Sequence, residues 1–248
     1  MKTQKQLIPF FLLCGYLTLT CQTTYQVKDS TYIFWQEGTK INYKDYKGLS
    51  FPNRIPVIAE IGIWTVLDLP EKAEYNSNPV HFYIAPLFDR NMSHADSNDL
   101  SLLAVNNIYF DISELCARYA RKKMTAVLLD TLGSSYLIAS SAFKSIIKEM
   151  HEKRLRMNRQ FYTDYFRLKN RKAINTWRAR LNDELKITSN WATQPKDCYR
   201  FISRTPLEKG YVEDLSCNLR VLRDKYEQAL APDTWHAGFN QISRFRVK

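Results

Sequence analysis

Between residues 102 and 119 the apolar side chains Leu102, Val105, Ile108, Ile112, Leu115, Cys116 and Tyr119 recur at intervals of three and four. Only an α-helix gathers such a spacing into one continuous stripe. Ser97 can cap this helix, and the pattern predicts that it runs to about Met124 with Val105, Ile108 and Ile112 buried. A longer periodic run follows, through Ile138, Phe143, Ile146, Ile147, Met150, Met157, Phe161, Tyr165 and Leu168, and then Ile174, Trp177, Leu181 and Leu185 continue it. A bend near Asn170 is expected there, because globular helices are commonly shorter than about 25 residues. Upstream, residues 32–35, 55–60, 61–67 and 80–85 are β-branched or aromatic and bounded by Gly, Pro and Asn, as short strands are. The pattern predicts an α+β chain: a small N-terminal mixed or antiparallel sheet packed on the first helix and a long, bent helical hairpin. Residues 188–248, with Pro195, Pro206, Gly210 and Pro232, read as mostly irregular, with one helix at about residues 213–230.

The run Tyr109-Phe110-Asp111-Ile112-Ser113-Glu114-Leu115-Cys116-Ala117-Arg118-Tyr119-Ala120-Arg121-Lys122 resembles the signature of the domain of unknown function 922 family, a family of secreted zinc-dependent proteases. That signature runs roughly His-Glu-Gln-x-His-Phe-Asp-Ile-x-Glu-x-x-Ala-Arg-x-x-Arg-Lys. Ile41-Asn42-Tyr43-Lys44-Asp45-Tyr46-Lys47-Gly48 is similar to the family's opening Leu-x-Trp-x-Asp-Phe-x-Gly, Ala59–Ile63 falls where its first strand follows, and Leu87-Phe88-Asp89-Arg90 sits in the stretch before the motif helix. The resemblance covers residues 40–124 in order and fades after residue 186. It implies a zincin-like domain over residues 25–186, with residues 187–248 as a C-terminal extension.

Zinc proteolysis needs two imidazoles one helical turn apart and a glutamate as general base. The resemblance puts Val105, Asn106 and Tyr109 at those positions. Valine has no lone pair, asparagine takes up no proton at neutral pH, and a phenol ionises only near pH ~10, so none of them does the required work. The family's third ligand is a histidine after its long second helix, and no histidine lies between His151 and His236. No metal or cofactor is therefore expected. Asp111 and Glu114, three apart on the motif helix, are the one candidate residual polar site, and hydrogen bonding or pairing with Arg118 or Arg121 is their expected role. His151-Glu152-Lys153-Arg154-Leu155 begins like a zinc motif but ends in leucine, so His151 reads as a polar residue near a helix surface.

Lys2 and Lys5 precede an apolar run at residues 7–19, the outline of a signal peptide over residues 1–24, and this predicts export to the periplasm or cell envelope. Thr18-Leu19-Thr20-Cys21 is an imperfect lipobox, so Cys21 is either a lipidated N-terminus and membrane anchor or is removed with the leader. An oxidising compartment would let Cys198 and Cys217 pair, the alternative being two buried thiols. Residues 117–186 carry 17 Lys plus Arg against 6 Asp plus Glu, which accounts for the whole net charge of +11. Most of these cations read as a solvated helix face, and with no nucleic-acid module signature a nucleic-acid partner is not expected.

Three functions remain. The first is a catalytically inactive, metal-free protease relative that binds a peptide or envelope protein, or serves as a scaffold. The others are a non-zinc hydrolase using Asp111 or Glu114, and a lipid-anchored module whose basic helices touch anionic envelope polymers.

Overall fold

The computed structural model describes residues 26–49, 57–71, 79–95, 100–130 and 136–217. Strands β1 (Tyr32–Phe34), β2 (Val57–Pro70), β3 (His81–Ala95) and β4 (Tyr211–Glu213) form an antiparallel sheet in the order β1-β3-β2-β4. Helices α1 (Leu100–Asp130), α2 (Tyr136–Tyr162), α3 (Ala173–Ile187) and α4 (Pro195–Ser203) complete the α+β architecture.

Strand alternation divides the core in two. Ile61, Ile63, Leu67 and Leu69 of β2 face α1 and α2, where they meet Val105, Ile108, Ile112, Phe143 and Met150. Trp64 and Val66 point the other way, onto Phe34, Tyr83 and Leu87, and α4 closes that face with Phe201. The Phe201 ring meets Trp64 edge-on with centroids 5.7 Å apart, a geometry aromatic pairs favour. Close approach at the sheet margin explains Gly48: its N–H donates to the Ser93 carbonyl at 2.7 Å, and a Cβ there would lie 2.7 Å from the Asn91 carbonyl oxygen. Only glycine fits without displacing backbone.

Helix α1 extends past Met124 to Asp130 and has Val105, Ile108 and Ile112 fully buried, as the apolar stripe predicts. Its expected cap, Ser97, lies outside the described residues. The bend expected near Asn170 is present. After α2 the chain makes a π turn (Thr163–Arg167) in which the Leu168 N–H donates to the Thr163 carbonyl at 3.0 Å. Lys169 then takes a left-handed φ of 51° and α3 begins at Ala173.

Three expectations are corrected. Residues 55–60 and 61–67 are not two strands: the described part is the single strand β2, because Glu60-Ile61-Gly62 continue the alternation without a turn. The strand expected at residues 80–85 runs on to Ala95, so residues 87–90 lie inside β3, where Leu87, Phe88 and Asp89 pair with β1 on one side and β2 on the other. The tail is more regular than its prolines suggest. Pro195 opens α4, since the first helical position needs no N–H. Glu213 ends β4 rather than starting a helix, a 3₁₀ turn occupies Leu215–Cys217, and residues 218–230 lie outside the described residues.

Candidate functional site

The three positions where the resemblance would put metal chemistry are packed. Val105 (0% exposed) and Tyr109 (3%) belong to the main hydrophobic core. The Tyr109 ring meets Phe161 of α2 edge-on at 5.2 Å, and burial raises its phenol far above the usual value. Asn106 donates its side-chain N–H to the Tyr46 hydroxyl at 2.7 Å. The neighbouring Asn107 accepts from the Ile41 N–H at 2.9 Å and donates back to the Ile41 carbonyl at 3.0 Å. These amides pin residues 41–46 across the helix, where a cleft would have to open.

One turn further on, Glu114 is wholly buried and accepts from four directions. Arg118 Nε donates at 2.8 Å, Arg121 at 3.3 Å, the Thr193 N–H at 3.0 Å and the Thr193 hydroxyl at 2.6 Å. Arg121 also spans the Ile84 carbonyl of β3 with Nε and Nη2, at 3.1 and 2.9 Å, and reaches the Trp191 carbonyl. Arg118 reaches the Leu185 carbonyl and lies over the Trp35 ring at 4.9 Å. The expected pairing of Glu114 with these arginines is thus present. Asp111 differs: it accepts from the Trp35 indole at 2.8 Å, from Lys40 at 3.5 Å and from Arg178 of α3. With side chains 0% and 3% exposed, the two carboxylates face protein groups. Chemically they act as anchors, each tying α1 to chain segments far away in sequence.

Cys198 and Cys217 do not form the expected disulfide. Cys198 packs with Trp64 and Phe201 on one face of the sheet, whereas Cys217 sits in the α1–α2 core on the other. Burial pushes the Cys217 thiol up to about 11 and Cys116 up to about 12, and raises Cys198 further still, so all three are poor nucleophiles. His151 is buried within α2 rather than lying near a helix surface. Among the described residues no three His, Cys, Asp or Glu side chains converge as a metal site. Cys21, the leader and His236 lie outside the described residues.

Beside the motif helix lies a half-open depression of about 220 Å³ between β3, the later turns of α1 and residues 190–197. His81, Tyr83, Arg121, Trp191, Gln194 and Lys196 are among its lining residues. It is smaller than the pockets that usually enclose small molecules and suits a side chain or two. Among the described residues no strand pairs with His81–Ile84 on the side away from β2. At its floor Asp197 accepts the Gln194 N–H at 2.8 Å. Burial, opposed by Arg121 and that N–H, pushes its carboxyl up to about 6.

Two networks escaped the sequence. Arg200, fully buried, grips Asp68 through two 2.7 Å bonds and Glu213 at 2.6 Å, joining α4, β2 and β4. Thr193 reaches back to Glu114 across 79 positions. Neither separation leaves a periodic trace. No family model, no curated protein and no solved structure matches the chain.

Proposed function

We propose that this chain is a metal-free, catalytically inactive relative of secreted zinc proteases, exported and kept as a binding or scaffold protein of the cell envelope. The observation that carries the reading is the fate of residues 105, 106 and 109: two are core packing and one is an amide hydrogen-bonded to Tyr46. A water-activating centre needs open coordination space, and this turn of α1 has none. The hydrolase reading through Asp111 or Glu114 is disfavoured because both carboxylates are enclosed by their partners. A general base must come within hydrogen-bond reach of its substrate. Binding falls instead to the depression beside β3, where His81, Trp191, Gln194 and Lys196 leave room for a side chain or two of a peptide.

The test is metal analysis of the full chain purified from zinc-supplemented medium, together with a peptidase assay. The expected results are far less than one zinc per chain and no turnover. One tightly bound zinc per chain would overturn the reading, and turnover abolished by Asp111→Asn would replace it with the hydrolase.

A further inference from the structure

The turn that joins α2 to α3 carries the most concentrated exposed charge among the described residues. Arg167, Lys169, Arg171 and Lys172 are all exposed within six positions, and Arg156 and Arg159 are exposed on the last turns of α2. Among the described residues none of these six forms a salt bridge, and the carboxylate nearest the turn in sequence, Asp164, accepts the Trp177 indole N–H at 2.9 Å. At the centre of the cations stands Leu168, 66% exposed. Just before it in the chain, the half-buried rings of Tyr162, Tyr165 and Phe166 pack against the main core and on one another, with centroids 5.3 Å apart for Tyr162–Phe166 and 4.7 Å for Tyr165–Phe166. The turn is held in shape by its own backbone: Leu168 N–H to Thr163, Lys169 N–H to Phe166, and Ala173 N–H to Asn170.

We infer that residues 167–172 dock on an anionic lipid surface, with Leu168 entering the headgroup boundary and the cations meeting lipid phosphates. A polyanion alone would account for the charge. It would not account for an exposed leucine in the middle of it, next in the chain to half-buried tyrosines, a residue type that settles at membrane interfaces. A fixed turn also loses little conformational freedom on docking. This inference is independent of the metal-free reading.

The experiment is co-sedimentation of the full chain with vesicles of phosphatidylcholine alone, or with about one-third phosphatidylglycerol, at low and high salt. Stronger binding to the anionic vesicles, weakened by salt, is expected. Each cation should contribute about fivefold, so Lys169→Gln/Arg171→Gln should weaken binding about 25-fold. Leu168→Gln should weaken it about tenfold. Lys28→Gln/Lys44→Gln, which removes exposed cations elsewhere, should change it less than about twofold. Circular dichroism melting checks that these surface variants stay folded. Equal binding to neutral vesicles, or no binding at low salt, would overturn the inference. So would wild-type affinity in Leu168→Gln, which would leave only a polyanion-binding face.

Discussion

Replacing Glu114 with alanine is the sharpest probe of how this fold is held together. The side chain is fully buried, and its removal strands Arg118 and Arg121, 3% and 7% exposed, beside the hole it leaves. Both Thr193 bonds to Glu114 are lost as well. Breaking a buried ion pair from one side costs about 3–5 kcal/mol, because the remaining charge stays desolvated. For a chain of this size each kcal/mol moves the melting temperature by about 2–4 °C, so Glu114→Ala should melt roughly 10 °C below the parent. Urea unfolding followed by circular dichroism would measure the loss. Arg118→Met on the Glu114→Ala background should cost less than it does alone, since one stranded charge has gone. The opposite outcome is informative too. Carboxylates kept for chemistry are commonly strained, and their removal stabilises the fold. A Glu114→Ala chain as stable as the parent, or more so, would refute the anchoring role.

Two further perturbations follow from the buried groups. The Asp197 carboxyl titrates at about 6 in the fold against an ordinary 3.8, so its contribution to stability is full below about pH 4 and is lost as pH rises through 6, by at most about 3 kcal/mol. Asp197→Asn retains an acceptor for the Gln194 N–H, so it should flatten stability between pH 4 and 6 and raise the melting temperature at pH 7.5; an unchanged pH profile would contradict the assignment. The thiols of Cys116, Cys198 and Cys217 should resist Ellman's reagent in the native chain and react after unfolding, whereas a Cys198–Cys217 bridge would leave two of them unreactive in denaturant until reduced.

How far the sequence could be read follows from the range of each interaction. The burial of Val105, Ile108 and Ile112 and the bend near Asn170 were legible because helical periodicity and local turn chemistry are written within a few residues. The Glu114–Arg118 pair was legible for the same reason, being one helical turn apart. For Asp111 the sequence points to hydrogen bonding without naming the partners, because Trp35, Lys40 and Arg178 come from segments more than sixty positions away and nothing local marks them. The missing disulfide has the same origin. Cys198 and Cys217 are close in sequence, yet α4 crosses one face of the sheet before the chain returns along β4 to the other.

The division of labour along α1 bears on what a likeness at this helix can mean. Of the motif positions, Asp111, Glu114, Arg118 and Arg121 match the protease signature, and each holds a distant segment in place: Asp111 the β1 exit and α3, Glu114 and the arginines the chain around Leu185 to Thr193. The departures fall at 105, 106 and 109, whose side chains fill space or bridge to Tyr46. A scaffold released from catalysis would lose its metal ligands first, since apolar side chains of similar volume pack better in a core than imidazoles left without a cation. It would keep the buried charge network longest, because changing any one member strands the others. On the relation proposed above, the positions that agree with the signature are those that packing alone would retain, so the likeness at this helix carries no argument for a shared reaction.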